Sequence, residues 1–204
     1  MTPWPLLFAA ALLSLERACY AGIARSPGTF RRLCARPPLA RLGEPVVIVR
    51  RLFYGFKVLQ LSVFAGWCWV HRPDLAAPPD GGPAALAIGA GLIVAGQLLN
   101  ASVFCRLGSV GVFYGNILGH EVAWCREFPF SVLAHPQYVG TVLSIWGLFL
   151  ALRFPHEDWF VLPALETVYY VVGARLEDRG VRAALSMSLG AFPPESAGHR
   201  PTQA

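Results

Sequence analysis

The chain has 204 residues, 55% of them hydrophobic and only 14% charged, with a mean hydropathy of +0.49. A water-soluble domain carries about 25% charged residues, so the composition excludes an ordinary soluble domain and favours one membrane domain. The net charge is +5, but the arginines flank apolar runs instead of striping a polar surface, which excludes nucleic acid and points to anionic head groups.

The first long apolar run, Pro3 to Ala24, is too long for a signal-peptide core and has no small-residue cleavage site, so it reads as a retained helix. Glu16 and Arg17 interrupt it. Either Arg17 snorkels to the interface beside Glu16, or the pair faces a polar cavity. A basic, proline-rich loop follows from Arg25 to Arg41, with room for a short interfacial helix. The second run, Pro45 to Val70, carries Arg50, Arg51 and Lys57 in its first half. It can span a membrane only if those charges lie at the basic side or inside a bundle. His71 to Pro83 is a loop punctuated by glycine and proline.

The third run, Ala84 to Phe104, has no charge and many small residues, including Gly89, Gly91 and Gly96. About 20 apolar residues match a ~30 Å hydrocarbon core, and the small residues predict either close helix packing or room for a ligand. Two shorter runs, Tyr138 to Leu152 and Trp159 to Ala174, are separated by Arg153-Phe154-Pro155-His156-Glu157-Asp158 and predict a hairpin. The tail from Arg179 reads as polar and loosely ordered. The five cysteines are far apart and form no CxxC pair, so neither zinc nor a disulfide framework is expected.

The predicted fold is therefore an all-α, polytopic membrane bundle of about five helices, the last two forming a hairpin. It divides into N-terminal helices and a basic loop (1–83), a core (84–179) and a polar tail (180–204). With five spans the arginine-rich segments fall together on the cytoplasmic side; four spans with a re-entrant hairpin is the alternative. The polar residues of interest gather on that same side, around His120 to Phe130, His135 to Tyr138 and Arg175 to Arg179. Antiparallel hairpin arms would bring His135 and Tyr138 to Glu177 and Asp178, an arrangement costly in a membrane without polar partners or a ligand.

The stretch Phe128-Pro129-Phe130-Ser131-Val132-Leu133-Ala134-His135-Pro136-Gln137-Tyr138-Val139-Gly140 resembles the F-P-F-N-x-x-x-N-P-x-Y-x-G signature of the phospholipid N-methyltransferases. Leu107 to Gly119 is similar to that family's glycine-rich segment, and Glu177-Asp178 stands where the family has an acidic pair. His135 replaces the family's asparagine, and of its Gly-x-Gly only Gly96 is kept at the matching place. A His-Pro-x-Tyr-x-Gly version also occurs in the isoprenylcysteine carboxyl methyltransferases.

The resemblance implies S-adenosyl-L-methionine as cofactor and a membrane phospholipid amine as methyl acceptor, with no obligate protein partner. Methyl esterification of a prenylated cysteine carboxylate is the alternative, and a non-enzymatic membrane scaffold the third reading. Gly96, Gly108, Gly111, His135, Tyr138, Gly140, Glu177 and Asp178 are the implied cofactor contacts. An alkylamine titrates near pH 10, as lysine does, so a general base is expected, with His120, Glu121 and His135 as candidates. Arg106 and Arg126 are candidates for the lipid phosphate. Trp124, Tyr114 and Phe128 are either partners of a methylated ammonium or interfacial aromatics.

Overall fold

Lipid-facing backbone must satisfy its own hydrogen bonds, which leaves helices and closed barrels as the spanning structures. The computed structural model describes residues 3–71, 79–122 and 125–190, with side chains in the last helix through Glu177. Among these the chain is all-α. In order come α1 (Trp4–Arg25), α2 (Pro27–Cys34), a 3-10 turn (Leu39–Leu42), α3 (Pro45–His71), α4 (Gly82–Val112), α5 (Gly115–Leu118), α6 (Pro136–Arg153) and α7 (Val161–Gly190). Proline stands in the first turn of α1, α2, α4 and α6, where its missing N–H costs nothing and its fixed φ suits helix entry.

Among the described residues, two segments are long and apolar enough to cross a bilayer, Trp4–Arg25 and Gly82–Leu118. The other expected apolar runs are also helical. Two boundaries differ from expectation. Helix α4 runs on through the glycine-rich segment but breaks direction at Gly108, whose φ of 62° and ψ of 178° are accessible to glycine almost alone. The loose tail expected from Arg179 is helical to Gly190, because Arg182, Ala183, Ala184 and Leu185 are strong helix formers that carry α7 onward.

Helices α1, α3, α6 and α7 share one apolar core of Leu13, Phe64, Ile145, Phe149 and Leu162. A second core, of Tyr20, Ile23, Val46, Val49 and Phe113, closes the other end. Helix α4 packs on α6 through glycines. A Cβ added at Gly140 would lie 2.6 Å from the Gly96 carbonyl oxygen, and one at Gly147 would lie 2.5 Å from that of Gly89. The small residues of α4 thus serve close packing, with the two helices antiparallel.

The turn between α6 and α7 is pinned from inside. Arg153 and Asp158 are almost fully buried, at 2% and 4% exposure. The Arg153 guanidinium grips the Asp158 carboxylate with two N–H groups, Nε at 3.0 Å, while Trp67 Nε1 of α3 donates at 2.9 Å. Burial pushes the Asp158 carboxyl up, but the hydrogen bonds from Arg153 and Trp67 and the Arg153 charge outweigh it and leave the pKa below the ordinary value.

Asp158→Asn should cost about 3–5 kcal/mol at neutral pH, because it strands a buried guanidinium. A depressed carboxyl contributes stability above its unfolded pKa and loses it as pH falls through the folded one. The gap between the melting curves of wild type and variant should therefore begin to narrow only below about pH 4 and close at more acid pH, below the depressed folded pKa; a gap independent of pH across that range would refute the ion-pair account. Gly140→Val should destabilise by about 1–3 kcal/mol through overpacking. Gly91→Ala, where an added Cβ meets nothing within 4 Å, should leave the melting temperature unchanged or slightly raised.

Candidate active site

Between the two apolar cores the helices enclose charge. Glu16 and Arg17 occupy the middle of α1, between Leu13 and Tyr20; Lys57 and Gln60 occupy the matching level of α3; Glu166 and Tyr170 do so on α7. Gln60 Nε2 donates to Glu166 at 2.8 Å, Lys57 Nζ donates to Gln60 at 2.9 Å and to Tyr170 Oη at 3.0 Å, and Lys57 lies 3.6 Å from Glu16. Arg17 pairs with the Glu16 carboxylate and lies over the Tyr170 ring at 4.2 Å and the Tyr138 ring at 5.3 Å. Glu16, Arg17 and Lys57 thus each have an opposite charge or a π-face beside them, and the buried Glu166 carboxylate accepts from the Gln60 amide.

A cavity of about 310 Å³ opens from this belt toward the end of the bundle that carries the arginine-rich segment. Helix α1 contributes Glu16, Arg17 and Tyr20, α3 contributes Phe53 and Lys57, and α4 contributes Val103 and Gly111. The opposite wall holds His135, Gln137 and Tyr138 with Tyr170 and Glu177. A larger groove of about 640 Å³ lies between the α1 and α3 faces near Trp4 and Val70, but no titratable side chain lines it. The smaller cavity is the one equipped for chemistry.

Its wall is built by chain reversal. Pro136 opens α6 and leaves His135 in a non-helical conformation at the N-cap, as expected for a residue preceding proline. The imidazole stacks on the Tyr138 ring at 5.7 Å between centroids, with planes 17° apart. Tyr138 Oη donates to Glu177 Oε1 at 2.5 Å. Further along the same pair of helices Trp146 donates to Thr167 at 3.0 Å, so α6 and α7 run antiparallel where they touch. Tyr114 adopts a left-handed backbone (φ 61°, ψ 25°) after α4, uncommon for an aromatic residue. That turn puts Tyr114 on the cavity wall, where it interacts with Tyr138 and Glu177. Three segments therefore converge on one carboxylate.

The site residues expected from sequence separate into two groups. His135, Tyr138, Glu177 and Gly111 line the cavity. Gly96 and Gly140 do not; each is occupied by the backbone of the opposing helix. Gly108 makes the bend in α4 and is also off the wall. His120 lies 4.0 Å from Glu44 and Glu121 is exposed, both away from the cavity. Arg106 pairs with Glu127 and donates to the Phe128 carbonyl at 3.2 Å, bracing the Phe-Pro-Phe turn, and Arg126 is exposed. Trp124 lies outside the described residues, as does the Asp178 side chain.

Tyr20, Tyr170 and Gln137 are cavity residues that sequence reasoning missed. A signal for two of them is present in the helical period. Arg17 and Tyr20 are three apart on α1, and Glu166, Tyr170, Gly173 and Glu177 recur at three- and four-residue steps along one face of α7.

The phospholipid methyltransferase family model matches residues 84–185. Phosphatidyl-N-methylethanolamine N-methyltransferase of Arabidopsis thaliana is 36% identical over 141 residues, 69% of this chain and 77% of the relative. Phosphatidylethanolamine N-methyltransferase of Homo sapiens is 31% identical over 97 residues, 47% of this chain and 48% of the relative. No solved structure matches the chain at a significant level. The aligned region contains the whole wall from His135 to Glu177, and on this footing the chain belongs to the phospholipid methyltransferase family.

Proposed function

We propose that the cavity transfers a methyl group from S-adenosylmethionine to the amine of phosphatidylethanolamine or of its mono- and dimethylated forms, toward phosphatidylcholine. The observation that carries this reading is the meeting of His135, Tyr138, Tyr114 and Glu177 on one wall of a cavity whose opposite wall is cationic. Both relatives are named for amine methylation, which favours an amine over a carboxylate acceptor.

The residues fit the cofactor. Small-molecule pockets span about 300–1,000 Å³, and this cavity lies at the compact end. Its carboxylates suit an ammonium group and ribose hydroxyls, and its aromatic walls suit a flat base. Glu177, oriented by the Tyr138 and Tyr114 hydroxyls, would hold the amino group or the ribose, with His135 and Gly111 completing the cradle and Asp178 beside them in sequence. When bound, S-adenosylmethionine supplies an electrophilic methyl group on a sulfonium centre. The chain's part is alignment, which can contribute several kcal/mol to an in-line displacement, and exclusion of water by Tyr20, Phe53, Tyr138 and Tyr170.

The amine must lose its proton before attack. With His120 and Glu121 off the cavity, His135 is the imidazole on its wall among the described residues. The family has asparagine at this position, so the imidazole is read as a wall and hydrogen-bonding group that an amide can replace.

A five-helix arrangement, with α6 and α7 as a final hairpin and the cavity mouth on the cytoplasmic side, agrees with several features. Large apolar side chains are exposed along the bundle, among them Phe8, Leu61, Leu98 and Val168. The arginines from Arg25 to Arg41 lie at the cavity end, where Arg31 approaches Gly119, as the positive-inside rule requires. Phe128 and Val132 are exposed beside the mouth, at 53% and 72%, and suit the head-group interface.

Incubating the membrane-embedded protein with methyl-labelled S-adenosylmethionine and mixed lipids should label phosphatidylethanolamine derivatives; label on none of them would remove the proposal. Glu177→Ala should weaken S-adenosylmethionine binding at least tenfold in a calorimetric titration while helicity by circular dichroism holds. His135→Asn should keep activity within about tenfold. A loss of 10²–10⁴ would instead give His135 the role of general base.

A further inference from the structure

Two residues of the cavity wall each carry a buried polar atom with no protein partner, Arg17 Nη1 and Tyr20 Oη. The two residues are three apart and share one face of α1. Arg17 is 8% exposed and Tyr20 5%. A buried donor left unsatisfied costs about 1–3 kcal/mol, more for a charged group, so a pair of them on two neighbouring cavity residues favours an occupant that carries acceptor oxygens.

Neither group has slack with which to find a partner elsewhere. Arg17 Nη2 is held by Glu16, and the guanidinium lies over the Tyr170 ring at 4.2 Å. Its stem lies against Gly173 of α7, where an added Cβ would come within 3.1 Å of the Arg17 Cδ. The Tyr20 ring is fixed edge-on to Phe56 at 5.8 Å and against Tyr114 at 5.8 Å. The Arg17 guanidinium carbon lies 5.4 Å from the Tyr20 ring centroid, so the two groups are neighbours, and a guanidinium N–H with a phenolic O–H near it is suited to an anionic oxygen.

From this geometry we infer an anion notch, formed by Arg17 Nη1 and Tyr20 Oη, that receives a carboxylate or phosphodiester oxygen of a zwitterionic ligand whose amino group lies toward Glu177. It rests on the methyltransfer reading above. Both reactants carry such a group: the amino-acid end of the methyl donor has a carboxylate, and the lipid head group has a phosphate. The notch lies outside residues 84–185, the part matched by the family model, so it is a contribution of the N-terminal helix to the site.

The full-length protein in lipid nanodiscs serves for the test, as wild type, Tyr20→Phe and Arg17→Lys. Calorimetry gives Kd for S-adenosylmethionine and for its decarboxylated analogue, and a mixed-micelle assay gives KM and kcat for phosphatidylethanolamine. Tyr20→Phe removes only a hydroxyl without a protein partner, so the ligand-free melting temperature should be unchanged or raised. If the notch holds the donor carboxylate, each variant raises Kd for S-adenosylmethionine at least tenfold and leaves that of the analogue within twofold. If it holds the phosphate, both donor affinities stay put and the lipid KM rises at least tenfold with kcat retained. The notch is overturned if no affinity or KM moves, or if both donors weaken equally alongside a lowered melting temperature. Wild-type protein that binds neither donor would sink the methyltransfer reading and the notch with it, whereas wild-type binding with unmoved variants sinks the notch alone.

Discussion

The guanidinium of Arg17 is the point on which the rest of the bundle depends. Removing such an ion from water costs several kcal/mol, and the chain offsets this with Glu16 next to it in sequence and aromatic rings brought from α6 and α7. Those rings come from residues more than a hundred positions away, so satisfying one cation ties the N-terminal helix to the C-terminal pair. Gly173 is part of the same constraint, because any side chain there would meet the Arg17 stem.

A belt of charge lies between two apolar cores and lines the cavity, so the bundle keeps a polar interior within an apolar frame. Below the belt, Phe64, Phe149 and Leu162 seal the bundle. At the far tip, the Arg153–Asp158–Trp67 cluster fixes the angle at which α7 leaves α6. Above the belt, Tyr20, Val49 and Phe113 form a second apolar layer beside the mouth. Polar side chains are thereby confined to one level of the bundle, open toward one end and sealed by apolar packing toward the other.

The family match and the cavity do not coincide. Residues 84–185 supply His135, Tyr138, Tyr114, Tyr170 and Glu177, whereas Glu16, Arg17, Tyr20 and Lys57 come from helices outside that match. The C-terminal half thus brings the wall that the family model matches, and the N-terminal helices bring Glu16, Arg17, Tyr20 and Lys57 to face it.

Hydropathy alone determined that the chain is helical, with two segments apolar and long enough to cross a bilayer, because an apolar run of adequate length has few other ways to satisfy its backbone. Local motifs also disclosed much of one wall: His135-Pro136 must start a helix, Tyr138 follows within a turn, and Glu177 lies where a returning helix would bring it. The glycines were legible as special but not as to purpose; Gly96 and Gly140 serve each other, and Gly108 serves a bend. Sequence left Glu16 and Arg17 balanced between a surface and an interior position, and it gave Lys57 no partner. Those questions were decided only by tertiary structure, since helical period fixes which residues share a face but not which face of another helix it will meet. The energy of a buried charge belongs to the contact, and the contact exists only once α1, α3, α6 and α7 have packed.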